Sequence, residues 1–178
     1  MCQIRRVKSD DWKLYKTIRL KALKDSPLAF TTKYEDAIKR TDESWIIQTQ
    51  QAAEGNENSI FLALNNNIAI GICSIYRNNE NKSVGEIVQV WVSPEYRGKG
   101  CSTKMLAKII EWAKSNGIAK CMLKVANENA RAMRFYEKCG FQIEEKSTQR
   151  FVYHKGPEKI TNNDGQIIFY QESSDNFM

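Results

Sequence analysis

The chain has 178 residues and a formal net charge of +6, a size that one domain with a self-sufficient core accounts for, so residues 1–178 are read as a single unit. No apolar run is long enough to span a bilayer, and the opening MCQIRRVKSDDWK lacks the apolar segment of a secretory signal, so a soluble, cytoplasmic protein is expected. The 5 cysteines are odd in number, scattered and without a CxxC pair, which argues against zinc or redox chemistry and for reduced thiols.

QIRRV reads as a short strand, and Asp10 or Asp11 caps a helix carrying Trp12, Tyr15, Ile18 and Ala22 on one face. DSPLAF ends it, because the residue before Pro27 resists the helical basin. A second, more polar helix is expected from about Tyr34 to Ala53, with Trp45, Ile46 and Ile47 as its apolar part. SIFLALN, NNN and IAIGICSIYR then read as strand, tight turn and strand. SVGEIVQVWV is a further strand, and KMLAKIIEWAKS is a helix with Met105, Leu106, Ile109, Ile110 and Ala113 on one face and Gly117 as its C-cap. AKCMLKVA is a strand, ENARAMRFYEKC a helix closed by Gly140, and FQIEE and QIIFYQE are two late strands around a polar excursion from about Lys146 to Gln166. This order implies an α/β layout with a mixed sheet.

The stretch VSPEYRGKGCS places two glycines between a strand and a helix, with Arg97, Lys99 and Lys104 around the same point. Unpaired N–H groups at a helix start bind phosphate, aided by the helix dipole. Neither GxxxxGK[ST] nor a GxGxxG in a first βαβ unit is present, so the usual mononucleotide and dinucleotide signatures are excluded. The plain alternative is an ordinary strand-to-helix turn with a solvated, charged rim. The positive charge itself fits an anionic ligand or mere solubility.

Taken together, VWVSPEYRGKGCSTKML and NARAMRFYEKCGF resemble the GNAT family of acyl-CoA-dependent N-acyltransferases. The first resembles that family's pyrophosphate-binding RxxGxG/A segment, with Ser102 where Gly or Ala is usual, and the second its other CoA-contacting helix. The resemblance implies the GNAT fold, a mixed sheet of about seven strands flanked by about four helices. It implies an acetyltransferase that moves the acetyl group from acetyl-CoA to a primary amine of a small molecule, a protein N-terminus or a lysine, by direct attack in a ternary complex without a metal. It also implies cofactor contacts from Val90, Trp91, Val92, Arg97, Gly98, Lys99, Gly100, Cys101, Ser102, Asn129 and Ala132. The strand Glu86 to Val92 is expected to splay from the next, so that the main chain of residues 90–92 pairs with pantetheine.

Acyl transfer needs a base, an acid and an oxyanion donor. By the same resemblance Glu86 is the base, Tyr136 the acid toward the CoA sulfur, and the Val90 N–H the oxyanion donor. Alternation along Glu86, Val88 and Val90 places all three on one face. Each has a plain alternative: Glu86 pairing with a lysine, Tyr136 as a core aromatic, and Asn129 as a helix N-cap. Cys101 is read as a small helix-start residue, and His154, the only histidine, as a surface side chain. The acceptor amine is expected near SPLAFTTKYEDA and RFVYHKGPEKITNNDG, where Glu35, Asp36, Asp42 and Glu43 could attract a cation or simply be solvated. A non-catalytic acetyl-CoA sensor is the alternative function. No nucleic-acid module or membrane partner is expected, while homodimerisation is common in the family.

Overall fold

Strand β2 (Asn58–Asn65) is apolar along almost its whole length because both of its faces are covered. Phe61 and Ala63 join a cluster with helix α4 (Cys101–Ser115), while Ile60, Leu62 and Leu64 join another with α1 (Trp12–Asp25) and α3 (Asp42–Glu54). The computed structural model describes residues 2–126 and 129–143, with the backbone of 151–153, 159–161 and 166–172. Its main sheet runs β1 (Gln3–Arg6), β2, β3 (Ile68–Arg77), β4 (Val84–Val92), β5 (Lys120–Ala126), β9 (Gln166–Glu172), β6 (Gln142–Ile143). All pairs in it are antiparallel except β4–β5, which α4 connects as a crossover. This is the expected seven-stranded mixed sheet, and α5 (Ala130–Lys138) follows β5 as expected.

The asparagine turn is a two-residue hairpin loop, with Asn66 at φ 49° and Asn67 at φ 64° between the paired Asn65 and Ile68. Two successive positive φ values define the mirror-image turn that matches strand twist, and asparagine tolerates them. Helix α4 buries Met105, Leu106, Ile109, Ile110 and Ala113, the face expected from spacing, and Gly117 at φ 72° follows its C-cap Asn116.

Three expectations are corrected. The single helix at 34–53 is two, α2 (Tyr34–Ala37) and α3, because the Thr41 hydroxyl accepts from the Ser44 N–H at 3.3 Å and starts a new helix. Asp11 stands at the N-cap of α1 without capping it; its carboxylate instead pairs with Arg5 and accepts from the Lys8 N–H at 2.6 Å. Within the polar excursion, β7 (Phe151–Tyr153) and β8 (Lys159–Thr161) form a separate two-stranded sheet. His154 and residues 144–145 of FQIEE lie outside the described residues. No helix among the described residues is long and apolar enough to cross a membrane.

Candidate active site

β4 and β5 pair only at Val84↔Lys120, Gly85↔Cys121 and Glu86↔Met122. Beyond Glu86, β5 continues with β9 while β4 keeps only its β3 partner, so the edge from 87 to 92 has no strand on that side among the described residues. A bulge falls in this stretch: Ser74 pairs with Val88 and Ile72 with Trp91, three steps along β4 against two along β3. Gln89 sits at its centre with φ 61°, a conformation unusual for a side chain of this size. Its Oε1 accepts from the Ser74 hydroxyl at 3.1 Å and from the Tyr15 hydroxyl at 3.4 Å, which ties the bulge to β3 and α1.

The bulge overturns the simple alternation. Glu86 lies opposite Tyr76, whose hydroxyl accepts from Gln48 of α3, so it faces the α1/α3 side. Val90 packs into the cluster on the α4 side. The extra residue reverses the facing of everything after it.

After Val92 the chain makes one 3₁₀ turn, Pro94–Tyr96, and reaches α4 through Gly98 at φ 75° and Gly100 at φ 79°. A Cβ on either glycine would meet nothing within 4 Å, so the backbone conformation and not crowding selects them. Among the described residues no side chain caps α4, and its first turn holds no acid, so the amides of Cys101, Ser102 and Thr103 are helix-start donors without an intrahelical acceptor. The loop is held from outside. Arg97 donates through Nε to the Val92 carbonyl at 2.9 Å and pairs with Asp25 at 2.5 Å. Asp25 also accepts from the Trp91 indole at 2.9 Å, Lys21 donates to Ser93 at 3.0 Å, and Asn65 donates to the Tyr96 hydroxyl at 3.0 Å. The Trp91 indole N–H, followed by Ser26 and Arg97, holds the Asp25 carboxyl below the usual carboxylate range. Lys99 lies over the Tyr96 ring at 5.4 Å.

Cys101, the first residue of α4, is joined to Cys2 by a disulfide, with Cα atoms 6.1 Å apart. This corrects the expectation of reduced thiols: α4 lies against the start of β1, which brings together residues 99 apart in sequence. Cys73, Cys121 and Cys139 are free and buried.

Glu86 forms an ion pair with Lys124 of β5 at 3.2 Å, the lysine pairing that sequence had left open as its alternative. Asn129 is the N-cap of α5, its side-chain oxygen accepting from the Ala132 N–H at 3.0 Å. That bond uses the amide oxygen and leaves the amide N–H groups to donate elsewhere. Tyr136 is buried beside Phe135 and Phe141 in the α4-side cluster, and Ala132 packs against the same cluster. Burial, with Cys73 and Cys139 nearby, pushes the Tyr136 phenol up and keeps its proton in place. Sequence reasoning missed the roles of Asp25, Gln89, Tyr15 and Tyr76. Only the Pro after Ser26 hinted at a structured junction near Asp25, and nothing local marked Gln89.

Residues 20–141 match the model of the acetyltransferase (GNAT) family. The chain belongs to this family. Among curated relatives, an uncharacterised N-acetyltransferase of Methanocaldococcus jannaschii is 38% identical over 73 residues, 41% of this chain and 32% of that protein. N-alpha-acetyltransferase 30 of Schizosaccharomyces pombe is 34% identical over 83 residues, 46% of this chain and 55% of its own. The chain thus spans between about a third and about half of the length of these two relatives. A GNAT acetyltransferase of Streptococcus pneumoniae shares the fold at TM-score 0.75 and 23% identity, covering 97% of this chain and 99% of that one. The PaiA N-acetyltransferase of Thermoplasma acidophilum, solved with coenzyme A, superposes at TM-score 0.69 and 18% identity with coverage of 97% and 99%. The family and its named relatives are acetyltransferases, and this GNAT chain has their fold.

Proposed function

We propose that this GNAT protein is an acetyl-CoA-dependent N-acetyltransferase that passes the acetyl group directly to a primary amine in a ternary complex. One observation carries the reading: the unpaired edge of β4 ends at a glycine turn that opens onto an uncapped helix start. A flexible arm ending in a pyrophosphate needs an extended strand of backbone donors and acceptors followed by a cluster of amides, and these two features adjoin in that order. The amides of residues 101–103 would hold the pyrophosphate, with Lys99 adding charge. Arg97 would act mainly by fixing the loop, since its guanidinium is engaged with Asp25 and Val92. Backbone groups of Val90, Trp91 and Val92 would pair with the pantetheine amides, and Asn129 would donate to them. Acetyl-CoA supplies the activated acyl group and a thiolate leaving group.

The chain's own residues would then manage the protons. Glu86, on the α1/α3 face, accepts a proton from the attacking amine, directly or through water, and Lys124 positions its carboxylate. The nitrogen bonds to the acetyl carbon as the carbon–sulfur bond breaks, and the negative charge on the carbonyl oxygen is met by the Val90 N–H. Tyr136 donates its proton to the departing sulfur. The acceptor class is that of a small-molecule amine, a protein N-terminus or a lysine; names such as thialysine N-epsilon-acetyltransferase of Bos taurus, 40% identical over 53 residues, are consistent with amine chemistry of this kind.

Thermal unfolding with acetyl-CoA tests the binding half. At about 100 times the dissociation constant, one-site linkage gives roughly 2.7 kcal/mol of stabilisation. A clear upward shift that shrinks in Lys99→Ala supports the assignment; an unchanged midpoint counts against it.

A further inference from the structure

Arg19 of α1 is only 5% exposed, and its Nη1 is buried without a hydrogen-bond partner. No carboxylate among the described residues pairs with it: the charged or titratable groups around it are Tyr15, Tyr76 and Arg40. A second guanidinium therefore sits in the same place. Arg40 stacks on Trp45 at 3.9 Å and donates to Gln48 at 2.8 Å, and Gln48 donates onward to the Tyr76 hydroxyl at 2.9 Å. Because that oxygen accepts, the Tyr76 proton is left to donate. The Trp45 indole N–H is another buried donor without a partner. The cluster thus holds two cations and a surplus of donors, with no acid among the described residues to balance them.

Burying an unpaired cation is strongly unfavourable, and the Phe30 ring 4.5 Å from the Arg19 guanidinium offsets only part of it. Desolvation pushes the Arg19 pKa down, yet arginine keeps its charge at any physiological pH. A buried guanidinium without a carboxylate partner is suited to an anion that arrives from outside. The Phe30 ring that covers Arg19 is half-buried, on the connection after α1 where Leu28 is 97% exposed.

The cluster lies on the acceptor side of the sheet. Tyr76 is the strand partner of Glu86, and the Tyr15 hydroxyl donates to Gln89 at the bulge. By contrast, the acids that could attract a cationic acceptor, Glu35, Asp36, Asp42 and Glu43, are all exposed, and Asp42 is paired with Lys16. Buried charge is more weakly screened than surface charge, so the positive cluster outweighs them.

We propose that the acceptor is an amine that carries a carboxylate, an amino acid or a close relative of one, with the carboxylate bound by Arg19 and Tyr76 and the amino group directed toward Glu86. The guanidinium fork matches a carboxylate in two parallel hydrogen bonds, and Arg40 adds positive potential behind it. This rests on the N-acetyltransferase reading above and names its acceptor class.

The test is equilibrium binding to the full chain in the presence of coenzyme A, by calorimetry. The probes are N-acetylglycine, N-acetylmethionine, N-acetylglutamine and N-acetyl-β-alanine, each against its own C-terminal amide. Product acids need no turnover, so binding is read apart from catalysis. At least one acid is expected to bind tenfold or more tightly than its amide, with the difference lost in Arg19→Gln. That variant should unfold at no lower temperature than the parent without ligand, because it relieves a buried charge; a structural arginine would show a clear drop. Amides that bind as well as acids, a panel in which nothing binds, or a preference that survives in Arg19→Gln would each overturn the proposal. Should Arg19→Gln fail to fold, the acid-to-amide ratio on the unaltered chain still decides. The reading beneath fails differently: acetyl-CoA would bind while no amine of any kind released thiol.

Discussion

Replacing Tyr136 with Phe removes one oxygen from a site packed by Phe135 and Phe141 and leaves the packing intact. If that oxygen protonates the departing thiolate, thiol release should fall by roughly 10²–10⁴-fold while acetyl-CoA affinity stays unchanged. Burial raises the Tyr136 pKa, so the acid form persists. The parent rate should therefore show no alkaline decline from this group below about pH 10; full turnover in Tyr136→Phe would remove it from the mechanism. Asp25 makes a separate prediction about stability. Its folded-state pKa is depressed by Trp91, Ser26 and Arg97. A depressed carboxylate stabilises the fold above its unfolded pKa of about 4, and that contribution is lost as pH falls through the lower folded value. Asp25→Asn should thus unfold at a lower temperature than the parent at pH 7, and melting curves should converge below about pH 4. A constant gap down to pH 2 would contradict this.

At the scale of elements, the glycine turn and the start of α4 are the most exposed to test. Gly98, Gly100 and Gly117 all have φ between 72° and 79°, and all have open space where a Cβ would go. Alanine at any of the three should therefore cost about 1 kcal/mol for the left-handed backbone, similar in each case. Only Gly98→Ala and Gly100→Ala should also weaken acetyl-CoA binding, measured by calorimetry; equal affinity in all three would detach the turn from the cofactor. The same elements show what a sequence makes legible. The Asn66–Asn67 hairpin and the buried stripe of α4 were readable because each depends on local conformational preference or spacing. The break between α2 and α3 was not, since residues 38–40, Ile-Lys-Arg, carry no turn signal and Thr41 caps only in context. Nor was the bulge: a glutamine gives no local sign of a positive φ, and Gln89 is held by Tyr15 and Ser74 from distant parts of the chain. The glycine turn could be located from sequence, but the engagement of Arg97 by Asp25 could not, because 72 residues separate them.

For the whole molecule, the Cys2–Cys101 bond fastens the edge strand β1 to the helix that starts the cofactor loop. Its pairing could not be read from spacing, since it arises only when the sheet and α4 assemble. Closing so long a loop typically stabilises a fold by about 2–4 kcal/mol. Reduction, or Cys2→Ser, should lower the unfolding temperature accordingly. Iodoacetamide and mass spectrometry give an independent check, because burial raises the remaining thiols, Cys121 to about 12 and Cys73 and Cys139 as well. The folded chain should take up no label before reduction and label at Cys2, the one half-buried member of the pair, after it. Labelling of Cys2 in the folded chain without reductant would show that the bond is absent. The central claim is catalytic, and its most direct test is thiol release from acetyl-CoA on addition of amines, with the acetylated product identified by mass. The account predicts release that depends on the amine, yields one N-acetyl product per thiol and falls sharply in Tyr136→Phe. Tight binding of acetyl-CoA with no amine-dependent release across amino acids, polyamines and peptides would contradict it and leave a protein that binds the cofactor without using it.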